Sequence, residues 1–227
     1  MALILQIETA TDICSVSISN NGITMVVETN DGVKNHSSVL MPLIDSCIKS
    51  SGVSLHDLDA VAVSKGPGSF TGLRIGVATA KGICFAIDKP LIAINTLQSM
   101  ANLFNQQNNL QGTLFCPMID ARRKEVYTAI FDQHLDEILE TNALVLNEDS
   151  FQEWTAKKSI AFFGDGAGKC ENILKKSDKN LFFNDFRVSA EGMNTLCSDR
   201  FTQNRFESLS YFEPFYLKDF YTPTKRA

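Results

Sequence analysis

Residues 14–18, Cys14-Ser15-Val16-Ser17-Ile18, alternate apolar and small polar side chains without a break. Strict alternation is the mark of a strand with one face buried. Asn21-Gly22 follows, a two-residue turn whose backbone needs positive φ and which joins antiparallel strands. An apolar strand over 3–7 ending at Glu8 precedes this unit, and residues 23–28 return as a third strand. The chain therefore opens as a three-stranded antiparallel meander. What comes next changes character. Leu40, Leu43, Ile44, Cys47 and Ile48 recur at helical spacing over 37–49, with Pro42 expected near the first turn. A Val/Ala strand over 59–64, a turn-rich loop, a long helix over 71–87, a strand over 91–95 and a helix over 96–105 complete the order βββαβαβα. A meander continued by βα crossovers fits a mixed sheet with helices on both faces, the pattern of a ribonuclease-H-like half-domain.

The second half starts alike. At a constant offset Ile7-Glu8 corresponds to Ile119-Asp120, and Cys14-Ser15-Val16-Ser17-Ile18 meets Val126-Tyr127-Thr128-Ala129-Ile130. Each is a strand ending in a carboxylate, a polar turn and an alternating strand, so the sequence reads as an internal duplication. Two halves are expected, 1–107 and 108–227, divided where Asn, Gln and Gly dominate over 105–112. The second is the less regular: a strand end at Phe162-Phe163, a glycine turn from Gly164 to Gly168, helix over 190–206 and an aromatic tail. The tail, 208–227, is expected to pack back on the first half.

The formal net charge of −5 argues against a chain that grips a phosphate backbone unaided. Six cysteines are spread with no Cys-x-x-Cys pair, mostly among apolar neighbours, and read as buried thiols in a reducing compartment. No signal peptide and no run approaching the ~18 apolar residues of a membrane span is legible. A cytoplasmic protein with no membrane partner is expected.

Gly66-Pro67-Gly68-Ser69-Phe70-Thr71-Gly72 is the most specific local feature. It links a strand to a helix, where free N–H groups and the helix dipole could receive phosphate. The common phosphate loops do not fit. Leu73-Arg74 follows Gly72 where a Walker loop has Lys-Ser/Thr, and Thr71 stands where a dinucleotide loop has its third glycine. The nucleophile elbow fails at Pro67 and Thr71. The plain reading is a strand–helix turn. In the helix, Gly72, Gly76 and Ala80 form one small-residue row and Ala78, Gly82 and Ala86 a second. Interior glycine costs a helix about 0.8–1 kcal/mol against alanine. Close approach of another backbone would compensate, either from this chain's own sheet and first helix or from another subunit.

Three stretches together resemble the TsaB (YeaZ) family: Ile7-Glu8-Thr9-Ala10-Thr11, the run from Gly66 to Gly82, and Met118-Ile119-Asp120-Ala121-Arg122-Arg123-Lys124-Glu125-Val126-Tyr127. The resemblance is specific over 3–131 and thinner afterwards. It implies a duplicated actin/hexokinase-like α/β fold with mixed sheets flanked by helices. It implies a non-catalytic subunit that pairs with the catalytic subunit TsaD, is joined by the ATPase TsaE, and supports transfer of a threonylcarbamoyl group to adenosine 37 of tRNA. ATP and metal would then come through the partners, with no cofactor bound by this chain alone. Carried over, the dimer seam falls on the two helices of the first half, at Leu40, Leu43, Ile44, Cys47, Gly72, Ile75, Gly76, Ala80 and Ile83. The same surface would support a homodimer.

Residue chemistry agrees with the non-catalytic reading. Where TsaD is expected to carry two metal-binding imidazoles one helical turn apart, this chain has Thr96 and Met100, poor ligands for such a metal. His36, His56 and His134 are dispersed, and no Ser-His-Asp or Cys-His grouping is legible. Glu8, Thr9, Thr11, Asp120, Gly164 and Gly166 mark where nucleotide-binding relatives of the fold would have a cleft. Side chains in both strand-end turns replace the bare backbone that phosphates need, so the cleft reads as vestigial, with Glu8 and Asp120 facing each other across it. Arg122, Arg123 and Lys124 are a dense basic cluster, a solvated hairpin tip or a tRNA contact within the complex; Lys225-Arg226 is a second. The alternatives are an independent ATP-dependent kinase or ATPase of the same fold, and a protease.

Overall fold

A computed structural model describes residues 2–32, 35–174 and 177–218. The opening meander is β1 (Leu3–Glu8), β2 (Cys14–Asn20) and β3 (Ile23–Asn30), followed by α1 (His36–Ser51), β4 (Ala60–Gly66), α2 (Phe70–Ile87), β5 (Leu91–Asn95) and α3 (Thr96–Gln107). Asn21 and Gly22 take φ of 50° and 78°, as a two-residue turn of this hand requires. The sheet order is β3-β2-β1-β4-β5, antiparallel in the meander and parallel where β1, β4 and β5 meet. Pro42 lies inside α1, not in its first turn, and faces solvent, where no packing depends on the missing N–H.

The second half contains β6 (Leu114–Asp120), β7 (Glu125–Phe131), β8 (Glu137–Val145), α4 (Gln152–Thr155), β9 (Ile160–Phe163), α5 (Ala167–Ile173), β10 (Asn180–Phe183) and α6 (Asn194–Thr202). Its sheet runs β10-β9-β6-β7-β8, which read backwards is the order of the first sheet. The duplication is thus topological, with α4 and α5 in the places of α1 and α2.

The sheet faces follow from the period of two. In the first sheet Leu5, Ile7, Val16, Ile18, Val61 and Val63 point toward α1 and α2, meeting Leu40, Ile44, Cys47, Val77, Ala80 and Ile83. Ile4, Ala60, Ala62, Ile92 and Ile94 point the other way. They are covered by the second half's last helix and the 3-10 turn before it, through Ala190, Met193 and Cys197. Small polar residues share this face: Ser17 Oγ donates to Asn194 Oδ1 at 3.2 Å, and Asn194 Nδ2 donates to Thr24 Oγ1 at 2.6 Å. The reciprocal exchange covers the second sheet. Leu97, Met100, Ala101 and Phe104 of α3 pack on Phe115, Ile119, Ala129, Phe131 and Phe163. Phe104 stacks on Phe163 at 4.1 Å and meets Phe115 edge-on at 5.5 Å. Each half thus lends its last helix to the other half's sheet.

The 18-residue helix α2 is long and apolar enough to cross a membrane by length and composition, contrary to the sequence reading. Gly72, Leu73, Gly76, Val77, Ala80, Ile83 and Cys84 are buried in this chain's own fold, which is how a core helix passes the same test. All six cysteines are buried free thiols. Burial pushes Cys47 and Cys84 up to about 11 and Cys116 up to about 12, away from the thiolate that reacts.

Candidate functional site

The glycine loop is occupied by its own chain. Ser69 caps α2 by accepting from the Gly72 N–H at 3.3 Å, and its own N–H donates to the Ala10 carbonyl at 2.6 Å. A Cβ on Gly68 would come closer than 3.0 Å to the Ala10 carbonyl oxygen; one on Gly72, to the Thr9 carbonyl oxygen; one on Gly76, to Thr9 Oγ1. Real Cβ atoms essentially never show such separations. These glycines therefore let the β1–β2 turn lie directly on α2. The amide that a phosphate would need at Ser69 already has an acceptor.

This corrects the expected seam. Leu40, Ile44, Cys47, Gly72, Gly76, Ala80 and Ile83 are buried inside this chain. Of the nine expected residues only Leu43 and Ile75 keep partial exposure. The physical reason lies in helix geometry. Gly76 and Ala78 are two residues apart, about 200° around the axis, so the two small rows point to opposite sides and only one can face outward. The outward one is Ala78, Gly82 and Ala86, all exposed, with open space where a Gly82 Cβ would sit. Phe85 stands in it at 83% exposure, and Met41 on α1 is 52% exposed. Sequence spacing held this signal.

The cleft residues are also engaged internally, and all but one are buried. Glu8 is fully buried: Oε1 accepts from the Ala10 N–H at 2.7 Å and from Ser64 Oγ at 2.8 Å, while Oε2 has no partner among the described residues. Burial raises its carboxyl to about 7, against the lowering effect of those donors. Thr9 lies under α2, and the Thr11 carbonyl meets His36 Nε2 at 2.8 Å. Gly164, with φ of 100°, and Gly166 are pressed against Met118 on the side that a Cβ would take. The exception is Asp120. It is part-exposed, held at 2.5 Å by Lys169 Nζ, and accepts from the Arg122 N–H at 2.6 Å. Glu8 and Asp120 thus spend their contacts separately. The acid beside Asp120 is Asp165: the Asp120 N–H donates to Asp165 Oδ1 at 2.9 Å. Asp165 is exposed as a residue, yet protein packed around its carboxylate strips water from it. That loss comes first in raising its carboxyl, with the Asp120 and Asp12 charges adding to it.

Arg122, Arg123 and Lys124 form the exposed β6–β7 hairpin tip, with Arg122 and Arg123 both left-handed at φ of 68° and 55°. Lys225-Arg226 lies outside the described residues. Thr96 and Met100 serve as structure: Thr96 Oγ1 accepts from the Gly66 N–H at 3.2 Å, and Met100 is core.

The duplicated mixed sheets with exchanged covering helices place the chain in the actin/hexokinase-like class. A sequence profile described as "TsaD: tRNA N6-adenosine threonylcarbamoyltransferase" matches residues 18–222. The tRNA threonylcarbamoyladenosine biosynthesis protein TsaB of Escherichia coli K12 is 31% identical over 221 residues, 95% of this chain and 94% of that protein. The TsaB of Bacillus subtilis is 38% identical over 107 residues, 47% of this chain and 44% of that one. The solved structure of YeaZ from Pseudomonas aeruginosa superposes with a TM-score of 0.80 at 26% identity, covering 96% of this chain and all of that one. A second Pseudomonas aeruginosa structure, described as similar to peptidase YEAZ, gives 0.84 at 25% identity over the same shares. The chain belongs to the TsaB (YeaZ) family.

Proposed function

We propose that this chain works in tRNA threonylcarbamoyladenosine biosynthesis as a non-catalytic subunit that binds and activates a TsaD-type transferase. ATP and metal enter through the partners, including a TsaE-type ATPase, and tRNA is bound within the assembly. The observation that carries the reading is the outward face of α1 and α2. Met41 and Phe85 are exposed apolar side chains, and Ala78 and Gly82 are shaved to permit close backbone approach. Exposed apolar residues beside such a surface mark an interaction site, and without a partner the same face suits a second copy of this chain. The exposed Arg122-Arg123 tip, held in a backbone conformation unusual for arginine, suits a phosphate contact inside the complex.

An independent kinase or ATPase would need strand-end acids and glycine turns open to phosphate. Here Glu8 is sealed by Ser64 and Ala10, and the glycine loop is filled by Thr9 and Ala10. A protease would need a nucleophile, yet the six thiols are buried and the two residues at the metal-pair positions are a hydroxyl bonded to the Gly66 N–H and a core thioether. Reconstitution tests the proposal. Purified chain alone makes no threonylcarbamoyladenosine, and leaving it out of a mixture of transferase, ATPase, tRNA and threonylcarbamoyl donor removes most product. Full yield without it would refute the role, and millimolar ATP affinity by calorimetry would favour the kinase reading.

A further inference from the structure

We infer that the glycine turn from Gly164 to Gly168, with Lys169 behind it, is a clasp that holds the Arg122-Arg123 tip in a shape set for the phosphates of an RNA backbone. The inference rests on the reading above that tRNA is bound within the assembly. The clasp is rooted in the second half's core, where Ala167 and Cys170 bury one side of α5. Gly166 lets α5 start against the end of β6. Its N–H donates to the Met118 carbonyl at 3.2 Å, and a Cβ there would stand 3.0 Å from both Met118 Cβ and Val126 Cγ1. That approach delivers two side chains to the tip. Asp165 Oδ1 accepts from the Asp120 N–H at 2.9 Å, where β6 ends. Lys169 Nζ donates to Asp120 Oδ1 at 2.5 Å and to the Arg123 carbonyl at 2.9 Å, so it spans the tip from one side to the other. Asp120 Oδ1 also accepts from the Arg122 N–H at 2.6 Å. On the β7 side, the Glu125 N–H donates to the Arg122 carbonyl at 3.2 Å.

A left-handed backbone is costly for an L side chain, and here two arginines in a row adopt it. Strain of this kind persists only where the surroundings over-determine it, and it clusters at functional sites. Asp120 and Lys169 supply that determination. The chemistry of the tip fits phosphate: Arg122, Arg123 and Lys124 are exposed, and a guanidinium offers paired donors to phosphate oxygens. The acids that flank the tip are themselves paired, Asp120 with Lys169 and Glu125 with Lys218. A tip fixed before binding has less entropy to lose when it docks. The net charge of −5 makes this a local contact that works beside the transferase.

Titration of tRNA into the assembled chain and TsaD-type transferase, repeated at rising salt, tests the clasp. Replacing both arginines (Arg122→Ala with Arg123→Ala) is expected to weaken binding about tenfold and to lower the slope of log affinity against log salt by about 2. Asp120→Ala gives the deciding sign. It removes a negative charge beside the RNA, so a patch acting by charge alone would bind more tightly. The clasp instead predicts binding about three- to tenfold weaker. Asp120→Asn keeps an acceptor for the Arg122 N–H and is expected to lose less. Lys169→Met, at a partly exposed position, is expected to weaken binding as Asp120→Ala does. Tighter or unchanged binding in Asp120→Ala, or an unchanged salt slope in the double variant, overturns the inference. So does a double variant that loses the transferase, because the tip would then meet protein. Calorimetry of the chain with the transferase separates the two readings. No pairing by the wild-type chain refutes the proposed function and the clasp with it. Normal pairing together with undiminished tRNA binding in Asp120→Ala refutes the clasp alone.

Discussion

The two halves share a sheet and differ in what covers it. Both run in the same five-strand order, yet α1 and α2 have 16 and 18 residues where α4 and α5 have 4 and 7. The second half compensates with rings: Phe151, Trp154, Phe162 and Phe182 fill the space that long helices fill in the first. Long helices bury one stripe and leave another for solvent or a partner; short ones closed by aromatic packing offer no comparable face. The strand-end acids diverge in parallel. Glu8 is sealed and raised to about 7, whereas Asp120 is part-exposed and paired with Lys169. A duplicated fold has thus separated its roles, one half presenting helices and the other a charged turn.

The sharpest way to break that division is through the exchanged helices. Phe104 belongs to the first half by chain but to the second by packing. Phe104→Ala should cost about 3–5 kcal/mol in urea unfolding, with exchange protection lost first in β6 and β9. Loss confined to the first sheet would show that the helices are not exchanged.

Next in size is the pH dependence of Glu8. Its folded pKa lies above the ordinary value of 4.5, so the favourable contribution of the neutral acid is full below about 4.5 and is lost as pH rises through about 7. That loss is roughly 3 kcal/mol at most. Glu8→Gln stays neutral and should remove it. The stability difference between the two proteins should therefore shift in favour of the variant between pH 5 and 8, as read from denaturant midpoints. A pH-independent difference would place the carboxyl near its ordinary value.

Smaller again is the contrast across α2. Gly76→Ala forces a methyl onto Thr9 and should cost about 1–3 kcal/mol. Gly82→Ala meets open space and should gain about 0.8–1 kcal/mol from helix propensity alone. Thermal melts of the pair decide it; equal effects would mean that the two rows face alike.

Much of this was legible in the sequence, and what was hidden has a physical cause. The meander, the turn at Asn21-Gly22, the strand over Leu91–Asn95 and the second-half repeat all carry local periodicity, and the structure contains each. β8, β10 and the brevity of α4 and α5 carry little, because ring packing replaces helix pattern there. Gly72 and Gly76 announced a close approach, but a glycine does not say what approaches it. The answer, Thr9, lies more than 60 residues upstream by simple count. The outward row was available from angle alone, since residues 78, 82 and 85 share a face that 76 cannot. Burial of Glu8 was not, because its lid comes from β4 and a turn.

The central claim is that the outer stripe of α2 receives a transferase. It is tested most directly by calorimetric titration of a TsaD-type transferase with wild-type chain and with Gly82→Arg, whose side chain enters solvent and spares the fold. An unchanged melting curve with affinity reduced about 100-fold or more is the predicted result. Wild-type affinity in a folded Gly82→Arg protein would contradict the claim and move the partner surface elsewhere.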